Sequence, residues 1–469
     1  MFVRFILFFL ILFCFSGDTG FSWGRSSLGR LVLIRGIPHI RQKLCLSGEA
    51  CMVMYFRYRG YLLTQEDVFN VSRLSPEEGR GCGPKELALA GRRLGLEVEL
   101  DLRRIDSGSS LEVMEGLLGR IRRDLAVGIP SIVQVHSDRL GGIRFWLVVG
   151  YDWGSHELYY RDPAGRGGDY RRISRESFFR IWPVSVHSSK RVVRLGLRLK
   201  SFQRPSAQKG FSNAEYLEHI LRLKRMLPSS GFHVVLQRPF VVIGDEDLST
   251  VRRRARHTVG WAVKKLKAKY FQKDPKYILT IWLFKDRASY LKHCWQFFRQ
   301  RPSTPFGYYS AAHRSLVMNI ATGGGTLVHE LVHPFIEANF PDCPAWFNEA
   351  LASLYEQCGE EDGQIYGYTN WRLAGLQRAI RRGELPSFKV LTHTNTEEFY
   401  RLPYGYAQGR YLCYYLQEKK LLVKFWKAFV RNVKEDPTGY KTLKRVLKVK
   451  DMGVFQRKWE SYVLRLRYP

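Results

Sequence analysis

The chain has 469 residues, of which 45% are hydrophobic and 14% aromatic, enough for more than one packed core and too apolar for a disordered, collagen-like or coiled-coil chain. Lysine and arginine number 75 against 43 acidic residues, a formal charge of +32. Such a charge draws phosphate or anionic lipid to the surface over a distance set by salt screening.

At the start, Arg4 precedes an unbroken apolar run from Phe5 to Phe15, and small and polar residues follow. This layout predicts a signal peptide over residues 1–24 and an exported protein, whether periplasmic, envelope-associated or secreted. No later segment supplies the ~20 uncharged apolar residues that a membrane-crossing helix needs. Bulky Phe13 directly before Cys14 argues against a lipid anchor on that cysteine. Removal of the signal leaves seven cysteines without a CxxC spacing, which excludes a zinc ribbon or a redox dithiol. An oxidising compartment allows a disulfide such as Cys343 with Cys358 without specifying one.

Residues 36–187 read as a first unit, with helices over 48–59 and 85–94 followed by the strand-like runs IPSIVQVH, IRFWLVVGYD and ELYYRDP. Helices first and strands later predict an α+β fold. Residues 188–231, rich in Ser, Lys, Arg and Gln, read as a linker carrying a short helix over 214–226. A second unit, 232–469, opens with the strand HVVLQRPFVVIG, a basic helix over 248–270 and the apolar run YILTIWLF. A further strand is expected near 316–320, and the pattern is then helical almost to the end, so this unit is mostly helical with a small sheet. Arg252, Arg253, Arg254 and Arg256 form either a phosphate-facing surface or a solvated face. No recognition module accompanies them, so no specific nucleic-acid partner is expected, and an anionic envelope surface remains a candidate contact.

The residues richest in chemistry are GGGTLVHELVHPFIEANFPDCPAWFNEALASLYE. His329 and His333 stand at i and i+4, so a helix presents both imidazoles on one face, close enough to share one zinc ion. Glu330, one position round, can act as general base on a water that the metal activates. A catalytic site needs a third protein ligand and one open position, and Glu349, sixteen residues past His333, can supply it. Pro334 lacks the N–H of a helical hydrogen bond and predicts a kink or stop directly after His333.

HELVH followed by WFNEALA resembles the gluzincin metallopeptidases, and residues 240–416 resemble the bacterial peptidase-MA-like domain, in which a strand, a helix, a second strand and a GYY segment precede the zinc helix. The resemblance implies one zinc ion per chain held by His329, His333 and Glu349, with Glu330 as catalytic base and a peptide or protein as substrate. It also matches PYGYAQGRYLCYYL to the segment that presents a tyrosine hydroxyl to the tetrahedral intermediate, implying Tyr406, with Tyr404 as the competing candidate.

The segment IPHIRQKLCLSGEACMVMYFRYRG resembles the start of the bacteriocin-leader-processing cysteine peptidases, which have a papain-like fold. Gln42 matches the oxyanion glutamine, but Ser47 stands where that family has its cysteine. GIRFWLVVGYD resembles the strand that carries the catalytic histidine, and the matched position is Arg144 or Phe145. Asp162 matches the residue that would orient the histidine. A cysteine peptidase needs a thiolate beside an imidazole, and neither group is at its place. The resemblance therefore implies an inactive domain that binds peptide or regulates its neighbour. Cys45, Cys51 or Cys82, with His136 as a displaced base, is the alternative that would restore cysteine chemistry.

Overall fold

The computed structural model describes residues 31–106, 110–136, 142–186, 189–206 and 209–468; the expected signal peptide and Cys14 lie outside them. Two sheets organise an α+β chain. The first contains β1 (Leu31–Leu33), β2 (Leu96–Ile105), β3 (Ser131–His136), β4 (Ile143–Asp152), β5 (Glu157–Arg161), β6 (Arg171–Ser174), β7 (Val184–Val186) and β8 (Ser189–Leu199). Their order is β2-β8-β3-β4-β5-β6, with β1 beside β4 and β7 beside β8. The helix Ser47–Tyr58 is buried along its whole length from Ser47 to Phe56, as expected of a helix inside a core rather than on its surface.

The stretch expected as a linker begins as sheet. Strand β8 pairs with β2 on one side and β3 on the other, and Val192, Val193, Leu195 and Leu197 enter the first core. Arg194, in their midst, is fully buried. Its guanidinium donates to Asp101 at 2.6 Å, to Glu99 at 3.0 Å and to Asp124, and only such pairing makes a buried cation tolerable.

The helix Asn213–Met226 then packs on both units. A capping box of Ser212 and Glu215 starts it. Ala214 and Leu217 belong to the first core, whereas Tyr216, Ile220 and Leu223 cover one face of the second sheet. The Ala214 N–H donates to Asn70 Oδ1 at 2.9 Å, and the Leu236 N–H donates to Glu77 Oε1 at 2.6 Å. The connection is thus a packed joint rather than a loose tether.

The second sheet contains β9 (His233–Gln237), β10 (Phe240–Gly244), β11 (Leu279–Phe284), β12 (Gly307–Ser310) and β13 (Ser315–Asn319), in the order β12-β13-β11-β10-β9. HVVLQRPFVVIG, expected as one strand, is the hairpin β9–β10, with Phe240 opposite Gln237. Pro239 cannot donate to a ladder, so the chain turns there. Strands β10, β11 and β13 are parallel, and all six residues of β11 are buried, as interior parallel strands require. Phe240, Val242, Ile281, Leu283, Leu316 and Met318 face the main C-terminal core, while Val241, Ile243, Trp282, Phe284 and Val317 face the joint helix.

The basic stretch forms the expected helix, Leu248 to Lys269, with a π-helical segment at Ala255–Gly260. Arg252, Arg253 and Arg256 are exposed, and Arg254 pairs with Glu246, Lys265 with Glu360 and Lys267 with Asp274. The helical tail is interrupted by a hairpin, β14 (Cys358–Glu361) and β15 (Gln364–Gly367), around Asp362 and Gly363. Both turn residues have positive φ, which makes this Asp-Gly pair a hairpin turn that the sequence reading passed over. Cys343, Cys358 and the other described cysteines are free thiols.

Candidate metal centre and the first cleft

The helix Gly324–Asn339 carries HELVH. Gly323 before it has φ +102°, and a Cβ at Gly325 would lie 1.9 Å from the Glu356 carbonyl oxygen. The glycine run therefore lets the start of this helix approach the residues just past the helix Ala345–Leu354, which carries Glu349. The stop expected at Pro334 does not occur. Pro334 lies inside the helix, and Phe335, Ile336 and Ala338 continue its buried face, so packing outweighs the one backbone bond that proline removes.

These two helices bring His329, His333 and Glu349 together. Glu349 Oε2 lies 3.3 Å from His329 Nε2 and 4.0 Å from His333 Nε2, and the candidate ligand atoms all lie within 4.8 Å of one another. Tetrahedral zinc with bonds of about 2.1 Å separates its ligand atoms by roughly 3.4 Å, a small side-chain adjustment away. The residues fit such an ion on two counts. Two imidazoles and a carboxylate are a catalytic zinc donor set, and Glu349 Oε2 is buried without a hydrogen-bond partner, a deficit that a cation would make good.

Outer groups aim the donors. Asn348 Oδ1 lies 2.8 Å from His333 Nδ1, so that nitrogen donates and Nε2 keeps its lone pair for the site. Glu356 Oε1 stands 3.4 Å from His329 Nδ1. Arg372 grips Glu356 through two bonds of 2.8 and 2.7 Å, and Asn370 Nδ2 donates to it at 3.0 Å. Burial opposes the charge of Glu356, and the Arg372 guanidinium outweighs it, holding the carboxyl down at about 2. Burial likewise opposes the charge of Glu349, but the neighbouring imidazoles and Tyr400 hold its carboxyl below the ordinary range. Tyr400 Oη donates to Glu349 Oε1 at 3.1 Å.

His329, Glu330, His333, Glu349, Tyr400 and Tyr406 line one cleft of about 670 Å³. Tyr406 sits among Phe399, Tyr400 and the Arg372 guanidinium. Burial, then Glu349, raise its hydroxyl well above the usual phenol range, so it remains a proton donor. Tyr404 is excluded from this group, because its hydroxyl bonds to Glu384 at 3.1 Å. Sequence reasoning missed Tyr400, Asn348 and Glu356. Asn348 adjoins Glu349, which carried a usable signal, whereas Glu356 lies past the end of the helix that holds Glu349 and helical spacing does not place it.

The first cleft is arranged differently. Ser47 opens the buried helix, and its Oγ accepts the Phe145 N–H at 3.3 Å. The structure thus joins the two positions that the cysteine-peptidase resemblance pairs, but the second is a buried phenylalanine. Arg144, the preceding residue on β4, projects to the opposite face. His136 ends β3 opposite Ile143, whereas Gln134 is the partner of Phe145, which places the imidazole roughly 7 Å further along the strand. Asp162 is buried and accepts the Ala164 N–H at 3.0 Å, with Arg171 at 3.5 Å. Gln42 does not match its expected role, because its amide Nε2 donates to the Leu44 carbonyl at 2.9 Å. Burial raises the thiols of Cys45, Cys51 and Cys82, and Glu49 adds to the shift of each, the reverse of what a nucleophilic cysteine needs.

No protein-family model matches the chain, and no curated protein matches it. Among solved structures it is similar to the peptidase domain of Streptococcus ComA, a bifunctional ABC transporter involved in a quorum-sensing pathway. That likeness has 17% identity and a TM-score of 0.25, covering 35% of this chain and 100% of that one. It is also similar to a double-glycine-motif protease from an AMS/PCAT transporter, solved with its leader peptide, at 21% identity and a TM-score of 0.24 over 35% of this chain and 93% of that one.

Proposed function

We propose that the chain is a zinc-dependent peptidase of gluzincin type, with its chemistry in the C-terminal unit. The observation that carries this is the convergence of two imidazole nitrogens on the unpartnered Glu349 Oε2, in a cleft that also holds Glu330. A zinc ion bound there supplies Lewis acidity toward the peptide carbonyl and lowers the pKa of water. Glu330 accepts the proton of the attacking water and delivers it to the departing amine. Tyr406 donates its hydroxyl hydrogen to the carbonyl oxygen as negative charge develops there. Tyr400 holds Glu349 in place through its 3.1 Å bond.

The first unit serves this peptidase without hydrolysing peptide bonds itself, as a peptide-binding or regulatory domain. The Ser47 hydroxyl sits beside Phe145, and a phenyl ring cannot accept its proton.

The test is digestion of casein by the zinc-loaded full chain, with and without chelator, alongside Glu330→Gln. The substitution is expected to lower cleavage by about 10²- to 10⁴-fold while zinc content is retained, and chelator should abolish cleavage until zinc is restored. Cleavage that persists undiminished in Glu330→Gln would overturn the proposal.

A further inference from the structure

The chain carries 75 basic residues, yet among the described residues no lysine or arginine lines the cleft around His329, Glu330 and His333. Glu337 does line it. This residue follows His333 by one turn of the same helix, so the two side chains leave the helix on one face with Cβ atoms about 6 Å apart. Glu337 is exposed. Its one side-chain partner among the described residues is Tyr309, whose hydroxyl donates to Oε2 at 3.4 Å, and no cation pairs with it.

The surroundings of Glu337 suit a long cationic side chain. Ile336, Phe340 and Pro341 give an apolar floor, and Tyr309 adds an aromatic ring. An alkyl stem can lie on such a floor while its charged head meets a carboxylate and a ring face.

We infer that Glu337 is a specificity-determining residue that selects peptides with lysine or arginine at a position flanking the scissile bond. The inference rests on the peptidase reading and narrows it from any peptide to cationic ones. It also sets the cleft apart from the molecule's exterior: the surface charge attracts anionic material, whereas the site accepts cationic side chains. Glu337 gains a partner when substrate binds, and Tyr309 keeps its carboxylate turned toward the cleft beforehand.

The test uses the zinc-loaded full chain and a set of quenched fluorescent peptides that differ in a single residue, placed in turn at each position flanking the cleaved bond. That residue is lysine, arginine, norleucine or glutamate. At one position kcat/KM for lysine or arginine should exceed that for norleucine by about twofold to fivefold, as a solvated ion pair allows. In Glu337→Gln that ratio should fall to about one, and in Glu337→Lys the order should invert in favour of glutamate. A ratio near one at every position in the wild type, or a preference that survives Glu337→Gln, overturns the inference. Binding of the same peptides to the Glu330→Gln protein, read by fluorescence anisotropy, separates the two levels. Charge-dependent binding without cleavage by the wild type would sink the peptidase reading and leave the selection by Glu337 standing, whereas charge-independent binding would sink the selection even if every peptide were cut.

Discussion

Two buried glutamates, one in each unit, have opposite fates. Glu49 lies two residues into the buried helix of the first unit, with Oε1 accepting the Cys82 N–H at 2.7 Å and Oε2 without a partner. Burial dominates there and pushes its carboxyl up to about 7. Glu349 is buried in the same way and also has one unpartnered oxygen, but it faces two imidazoles and a tyrosine, and its carboxyl is held low. Burial alone therefore does not make a site. A carboxylate that stays charged inside the protein needs polar or positively charged groups around it, and in the second unit the surrounding groups leave one oxygen open to a cation.

That contrast can be broken or sharpened by substitution. After Glu330→Gln, the largest effect is expected from Tyr406→Phe, which should lower kcat by about 10²- to 10³-fold through loss of the hydroxyl that donates to the developing oxyanion. Tyr400→Phe should cost less, since Tyr400 acts on the reaction only through Glu349. A larger loss in Tyr400→Phe, in steady-state kinetics on a single peptide, would exchange the two roles. Next, Asn348→Ala should weaken zinc binding by roughly 10- to 100-fold, because His333 loses the acceptor that orients it. Competition with a chromogenic chelator measures this, and unchanged affinity would leave the 2.8 Å contact without a function.

Glu49 gives a smaller effect with a defined sign. Its folded pKa, about 7, lies above the ordinary value of 4.5, so the folded state holds its proton more tightly than the unfolded chain does. The resulting contribution, of order 3 kcal/mol, is complete below about pH 4.5 and is lost as pH rises through 7. Urea unfolding should therefore show wild-type stability falling between pH 5 and 8 relative to Glu49→Gln, which keeps an acceptor for Cys82 but has no proton to lose. Parallel pH profiles would contradict this account. The smallest effect is expected from Ser47→Cys, which should gain no chelator-resistant peptidase activity because Phe145, the residue beside Ser47, cannot accept a proton.

Much of the second unit was legible because its signals are local: the i, i+4 histidines, the glycine run, and the unbroken apolar runs of β10 and β11. What escaped depends on distant partners. Strand β8 lies in a stretch whose Ser, Lys, Arg and Gln content reads as a linker, and nothing nearby reveals that Arg194 meets Asp101 and Asp124, far earlier in the chain. Tyr400 was missed for the same reason, as its link to Glu349 spans 51 residues. In the first unit the helix start at Ser47 and the strand that carries Arg144 and Phe145 have sequence marks, whereas whether the Gln42 amide faces a cleft or its own loop is decided only by the fold.

The most direct test of the metal centre is zinc stoichiometry on the full chain after dialysis, by elemental analysis, for the wild type and Glu349→Ala. About one zinc per wild-type chain is expected, with the variant retaining little at the same free zinc concentration. A wild-type protein that holds no more zinc than Glu349→Ala would contradict the convergence of His329, His333 and Glu349 on a single ion.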